Sequence, residues 1–341
     1  MRSLTRLAAG LTAFALSVTA LAGCSSDSKT AEPTSGDNTQ TQSSDTPSAS
    51  GDIRIGYMIW NTSVPFYSGL IEKAEETAAE LGVNLDIRNG DGELASQIAV
   101  VQQFIAEDVD MILMSPSDPQ GIVPVIKEAN QADIPVMAVN TMADTSTGAE
   151  VITYVGVDDI EFGRIQGRLL VEAIGDTGTY GYIQGELGTS AQLQRQQGLE
   201  EILADYPGIE RVGEISANWD NAAALAATQD MLNRFGPGKL SAIVGQGPEI
   251  TTGALHAKEA GRDDVVFIAG DYPADVREAI RNGAIYGTPN QAPDPQGEQA
   301  IRYAVEWLTG DKSKVPSPQA FIEMPQITKE NVEDIPAAWG E

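Results

Sequence analysis

Ile53-Arg54-Ile55-Gly56-Tyr57-Met58-Ile59, followed by Pro65 and an amphipathic run to Leu81, sets the pattern for most of this chain. The first stretch reads as a strand and the second as a helix. Proline suits a first helical position because the N–H it lacks has no intrahelical partner there. The alternation recurs. Strands are expected at 83–87, 111–114 and 135–139, with helices over 94–107 and 120–131 between them. A second series starts with a strand at 151–155 and a helix over 160–174. Further strands are expected near 181–183 and at 209–215, 240–244, 265–269 and 285–288, separated by helices over 190–204, 221–235, 250–260 and 274–282. Strands spaced by helices at intervals of roughly 25–30 residues argue for βαβ units and parallel sheets. The 291 residues from 51 to 341 suffice for about two domains of roughly 150 residues. The fold class expected is α/β, as two doubly wound Rossmann-like lobes.

The first fifty residues are expected to stand apart from that fold. Arg2 and Arg6 precede an uncharged, mostly apolar run from Leu7 to Leu21, which is shorter than the roughly 20 residues a spanning helix needs. The run ends in Leu21-Ala22-Gly23-Cys24, a tetrad that looks like a lipobox. Residues 1–23 are therefore expected to be a signal peptide and Cys24, the chain's single cysteine, the site of lipidation. Several acyl chains on one residue anchor a protein stably where a single chain is marginal. Residues 25–50 contain no aromatic residue and no Leu, Ile or Val, so they are expected to form a disordered tether from Cys24. As a flexible coil it would reach about 28 Å.

Composition removes whole classes of function. Lys and Arg number 21 against 49 Asp and Glu, a formal charge of −28. Loss of residues 1–23 takes away two arginines and no acid, leaving −30. Such a chain does not bind nucleic acid, which demands cations to displace phosphate counterions, and it is repelled by anionic lipid, so membrane attachment has to be covalent. One His and one Cys exclude a multi-ligand His/Cys zinc site and most Cys–His or Ser–His catalytic sets. Gly-x-Ser-x-Gly, His-Glu-x-x-His and Gly-x-Gly-x-x-Gly are all absent. Gly236-Pro237-Gly238-Lys239 has the wrong spacing for a phosphate loop and reads as a helix stop. Asp158-Asp159 and Asp263-Asp264 read as caps or solvated charges, and His256 as a surface or packing residue. No catalytic residue, cofactor or metal is indicated.

What remains is binding. In open parallel sheets ligands lie beyond the carboxyl ends of the strands. Those ends carry Trp60-Asn61, Ser115 and Asn140 in the first series, and Trp219-Asp220, Gln246-Gly247, Asp271-Tyr272 and Asn290-Gln291 in the second. Amides and a carboxylate hydrogen-bond hydroxyls, and indole faces stack on the apolar side of a sugar ring.

Residues 51 to about 325 resemble the ribose- and galactose-type periplasmic binding proteins, the sugar-binding components of ABC importers, with the type I periplasmic binding fold. The motifs come in the family's order: Pro65-Phe66-Tyr67, Ser115-Pro116, Ile134-Pro135-Val136 leading to Asn140, Gly188-Thr189-Ser190 with Arg195-Gln196-Gln197-Gly198, Trp219-Asp220, Ala269-Gly270-Asp271 and Asn290-Gln291. The lipobox and tether look like the Gram-positive, especially actinobacterial, form. The resemblance implies discontinuous lobes, residues 51–154 plus 292–322 and residues 155–291 plus 323–341. Three hinge segments would join them, near 154–157, 290–292 and 321–323. It implies that Phe66 and Trp219 sandwich the ligand from the two lobes, with Trp60 and Tyr67 beside them. Asn140 and Ser115 would bind hydroxyls, Arg195 would donate several hydrogen bonds, Asp271 would accept from two hydroxyls and Gln291 would act at the hinge.

The sequence departs from the family at three positions. Val64 replaces Asn or Asp, Gly247 replaces Asn, and Thr141 replaces the Arg of the ribose type. Each loses a hydroxyl-binding group, and an unpaired buried hydroxyl costs about 1–3 kcal/mol. A pentose, polyol or modified sugar is therefore expected rather than a fully hydroxylated hexose. By the same resemblance, the protein would be a monomeric, extracytoplasmic lipoprotein on the outer face of the cell membrane, delivering its ligand to a permease driven by a separate ATPase. A receptor lipoprotein for a furanosyl signalling molecule, or a nucleoside-binding lipoprotein, stands as the alternative.

Overall fold

The structure, a computed structural model, describes residues 53–340. The expected signal peptide, lipidated Cys24 and tether lie outside the described residues. The expected alternation is present as two sheets, each flanked by helices on both faces.

The first sheet begins with β1 (Arg54–Ile59), α1 (Pro65–Leu81), β2 (Asn84–Asn89), α2 (Leu94–Ala106), β3 (Met111–Met114), α3 (Val123–Gln131), β4 (Val136–Val139) and β5 (Tyr154–Gly156). The second comprises α4 (Asp159–Ile174), β6 (Thr177–Gln184), α5 (Ser190–Leu203), β7 (Gly208–Ser216), α6 (Asn221–Arg234), β8 (Ala242–Gly245), α7 (Ile250–Glu259), β9 (Val266–Ile268), α8 (Ala274–Arg281) and β10 (Gly287–Pro289). The chain then returns through α9 (Pro293–Leu308), β11 (Gln319–Phe321) and β12 (Gln326–Thr328). Strand order is β11-β5-β4-β3-β1-β2 in one sheet and β12-β10-β9-β8-β6-β7 in the other. All pairings are parallel except β10 with β12, so the second sheet carries one antiparallel edge strand. In both sheets the order reverses beside the first strand of its series, which opens a crevice at the strands' carboxyl ends.

The central strands β3, β4 and β8 are buried at every residue, as they must be with helices on both faces. Alternate side chains feed different cores. Ile55, Tyr57 and Ile59 of β1 pack with Phe66 and Leu70 of α1 and Ile301 of α9, whereas Met58 joins Phe104 of α2 and Ile126 of α3 on the opposite face. In the second sheet Ile183, Ile243 and Phe267 face α6, α7 and α8, while Tyr182, Val244 and Ile268 face α4 and α5. Full burial of a side chain such as Leu70 is worth about 1.5–3 kcal/mol. That fixes the strand ends rigidly enough to aim side chains into the crevice.

The chain leaves the first sheet after Gly156, two residues past the expected boundary at 154/155, because Val155 and Gly156 still pair with Ala320 and Phe321. It leaves the second sheet after Pro289 and re-enters it at Gln326. The backbone N–H of Asn290 donates to Pro325 O at 2.9 Å, tying two of the crossings together. Tyr154 Oη lies 3.0 Å from the carbonyls of both Asn140 and Val157, bracing the third.

Candidate ligand-binding cleft

The two sheets turn their carboxyl edges toward one another around a cavity of about 180 Å³. That is smaller than the roughly 300–1,000 Å³ of a drug-sized pocket. Trp60, Phe66, Tyr67 and Asn140 line it from the first lobe, and Arg195, Trp219, Asp271 and Gln291 from the second lobe and its hinge.

Ser115 does not take part. Its hydroxyl donates to Val139 O at 2.8 Å inside the first sheet and it is fully buried, so the expected hydroxyl-binding role for Ser115 is corrected to a strut between β3 and β4. Gln246 is a strut as well: its side chain joins Gly185 N, Tyr182 Oη and Gln192 O at 2.7–2.9 Å. Asp220 stays outside and caps α6, accepting from Ala223 N at 2.8 Å. Asp158 caps α4 as expected, but Asp159 is neither cap nor solvated. It is buried and accepts from Arg195 Nε at 2.7 Å.

Three lining residues sit at positive φ: Asn140 at 65°, Trp219 at 61° and Asp271 at 59°. Asn and Asp enter this region readily; for Trp it is a strained conformation of order 1–3 kcal/mol. All three directly follow or lie near strand ends, where reversal of the chain turns the side chain back over the edge. Room for the Trp219 indole comes from Gly185, where a Cβ would fall inside the ring.

The aromatic wall is a chain of edge contacts. Phe66 meets Tyr67 at 5.6 Å and 90°, and Trp339 at 5.4 Å and 89°. Trp339 comes from the C-terminal tail, held on the second lobe by Ala274 N donating to its carbonyl at 3.0 Å. Trp60 tilts against Tyr67 at 6.1 Å, and its buried indole Nε1 has no hydrogen-bond partner among the described residues.

Tyr67 Oη donates to Asn140 Oδ1 at 2.8 Å, and Asn140 Nδ2 donates to Gln296 Oε1 at 3.2 Å. Arg195 donates from Nη1 to Gln246 O at 2.7 Å and from Nη2 to Gln291 Oε1 at 2.6 Å, with its guanidinium stacked 3.7 Å from the Phe162 ring centroid. A guanidinium has five N–H donors. Three are engaged with the protein, counting the bond to Asp159, and two make no hydrogen bond among the described residues. Burial pushes the Asp271 carboxyl up to about 7, against the pull of Arg195.

Glu249 and Trp339 line the cavity and were not anticipated. Glu249 is 2% exposed, and its carboxyl is pushed up to about 8 by burial. The one signal for it in the sequence was Gly247. A Cβ there would strike Glu249 Oε2, so the missing side chain is what admits the carboxyl.

A family described as periplasmic binding protein domain matches residues 55–312. The chain is 28% identical over 290 residues to a xylitol-binding protein of Mycolicibacterium smegmatis, covering 85% of this chain and 81% of that one. It is 28% identical over 265 residues to the ribose import binding protein of Escherichia coli, covering 77% and 88% respectively. Among solved structures it superposes on an ABC transporter solute binding protein from Bacillus halodurans with bound myo-inositol, at a TM-score of 0.77 and 26% identity over 84% of this chain and 97% of that one. A solute binding protein from Agrobacterium vitis bound with α-D-tagatopyranose gives 0.74 and 28%, over 83% and 96%. With the family matching most of its length and the same two-lobed fold shared by these neighbours, the chain belongs to the periplasmic binding protein domain family.

Proposed function

We propose that this protein is an extracytoplasmic solute-binding component of an ABC importer that encloses a small carbohydrate, a pentose, polyol or modified sugar, between its lobes. One observation carries the reading: aromatic faces and hydrogen-bonding groups from both lobes converge on one cavity of about 180 Å³. A ligand that touches both lobes favours the closed form by its differential affinity for it. Met142 N donating to Ser190 Oγ at 2.8 Å joins the two lobes beside the cavity and belongs to that closed form. The solute is bound and released unchanged, and transport work falls to a permease and its ATPase. In this reading the protein acts as a monomer held by lipid on Cys24, so Cys24→Ser should move it from the membrane fraction to the medium.

Thermal-shift screening of pentoses, hexoses, polyols and nucleosides tests the proposal. A ligand at a hundred times its Kd stabilises by about 2.7 kcal/mol. Trp219→Ala and Asp271→Ala should remove the shift. A protein that no member stabilises, or that turns one into product, is not a carbohydrate receptor.

A further inference from the structure

The cavity is acidic beyond what hydroxyl binding requires. Its lining contains three carboxyl groups, Glu249, Asp271 and Asp275, and a single cation, Arg195. Arg195 answers them only in part. Its Nε is bonded to Asp159 behind the cavity, and its nearest approach to Asp271 Oδ1 is 3.9 Å, beyond hydrogen-bond reach. Asp271 Oδ1 and Glu249 Oε1 are both buried and have no hydrogen-bond partner among the described residues. Trp219 borders the same corner, since its ring and the Glu249 carboxyl both crowd the place a Cβ on Gly247 would take.

We propose that the solute carries an amino group as well as hydroxyls, and that its ammonium sits between the carboxyls of Glu249 and Asp271. The inference rests on the solute-binding reading above and narrows it to amino sugars or amino polyols. A neutral polyol can hydrogen-bond both groups, but it gives these carboxyls, which burial holds largely protonated, no counter-charge and only neutral hydrogen bonds. An ammonium supplies the charge and the donors together, and the indole beside it adds a cation–π attraction. The charged groups acting on Glu249 are Asp271 and Asp220, which hold its proton on, and Arg195, which draws it off. Asp271 feels Arg195 and Asp159 in the same opposed sense. Arrival of a cation therefore expels protons from this pair.

Calorimetry on matched pairs at pH 7 tests it: glycerol against 3-amino-1,2-propanediol, sorbitol against 1-amino-1-deoxysorbitol, and D-galactose against D-galactosamine. In at least one pair the amine should bind at least tenfold more tightly. Repetition in two buffers of different ionisation enthalpy should show proton release with the amine and none with its hydroxyl partner. Glu249→Gln should abolish the preference and reduce the release. If that variant does not fold, the proton release of the unaltered protein decides by itself. Hydroxyl partners binding as tightly as the amines, or a preference that Glu249→Gln leaves intact, overturns the inference and leaves the carbohydrate reading standing. Failure of both members of every pair to bind overturns the reading and the inference together.

Discussion

Arg195 and Asp159 form an ion pair at 2.7 Å in which Arg195 lines the cavity and Asp159 stands behind it. Both side chains are almost wholly out of water. The pair spans α4 and α5, and it fixes the angle at which the guanidinium faces the cleft. The proposed binding donor is thus held by a residue outside the cavity lining.

Removing Asp159 should therefore unfold the second lobe more readily than it alters contacts to a solute. Asp159→Ala strands a buried guanidinium, and loss of one partner from such a pair costs about 3–5 kcal/mol. Urea denaturation of the ligand-free protein should show a loss of that size. The double variant Asp159→Leu with Arg195→Met replaces charge with apolar volume and should be less destabilised than Asp159→Ala, while failing to bind ligand. A double variant less stable than the single one would refute this account of the pair.

The Trp219 indole occupies space that Gly185 leaves open. Gly185→Ala places a methyl group inside the ring's position and forces the indole to move, although residue 185 itself touches no ligand. Affinity should fall about tenfold, or about 1.4 kcal/mol, with a change in tryptophan emission in the ligand-free state. Unchanged affinity would mean that the indole is not a binding face.

Legibility of the sequence followed physical cause. The helix over 65–81 was readable to the residue because Pro65 starts it and Gly82, at a φ of 68°, stops it. The helix α9 went unread: its opening Pro293-Asp294-Pro295-Gln296-Gly297 has the composition of a loop, and only packing against α1 makes it helical. β11 and β12 are three residues each, too short for any alternation to register. Strand-end residues were found because the topology aims strand ends at the crevice. Ser115 was misread because it turns into its own sheet. Glu249 follows its strand by several residues and Trp339 lies in the tail, so neither falls at a position that strand ends predict.

Ligand-free stability should decline as pH rises from about 5 to 8. The folded state holds the Asp271 proton up to about pH 7 and the Glu249 proton up to about pH 8, whereas the unfolded chain loses both near pH 4. Below pH 4 both states are protonated and the contribution is intact. Between those limits the unfolded state binds fewer protons, so stability falls, by at most about 1.4 kcal/mol per pH unit for each group. Asp159, also raised by burial, acts in the same direction. Melting temperature followed from pH 5 to 8 should drop, and Glu249→Gln with Asp271→Asn should flatten the slope. A slope that survives both substitutions would place its origin elsewhere.

Trp339 offers a test of closure separate from direct binding. It is anchored to the second lobe through Ala274 and meets Phe66 of the first lobe edge-on at 5.4 Å, a contact between the lobes. An aromatic pair of this kind is worth about 0.5–1.5 kcal/mol beyond its buried area. In the proposed closure, loss of this contact between the lobes lowers the closed population before any ligand contact is broken, and the apparent Kd rises by the same factor. Trp339→Ala should thus weaken binding by about two- to twelvefold, seen chiefly as faster dissociation in stopped-flow measurements. Trp339 is only half-buried, so the melting temperature of the ligand-free protein should barely move. Weakened association with unchanged dissociation would instead make Trp339 part of the entrance rather than a clasp between the lobes.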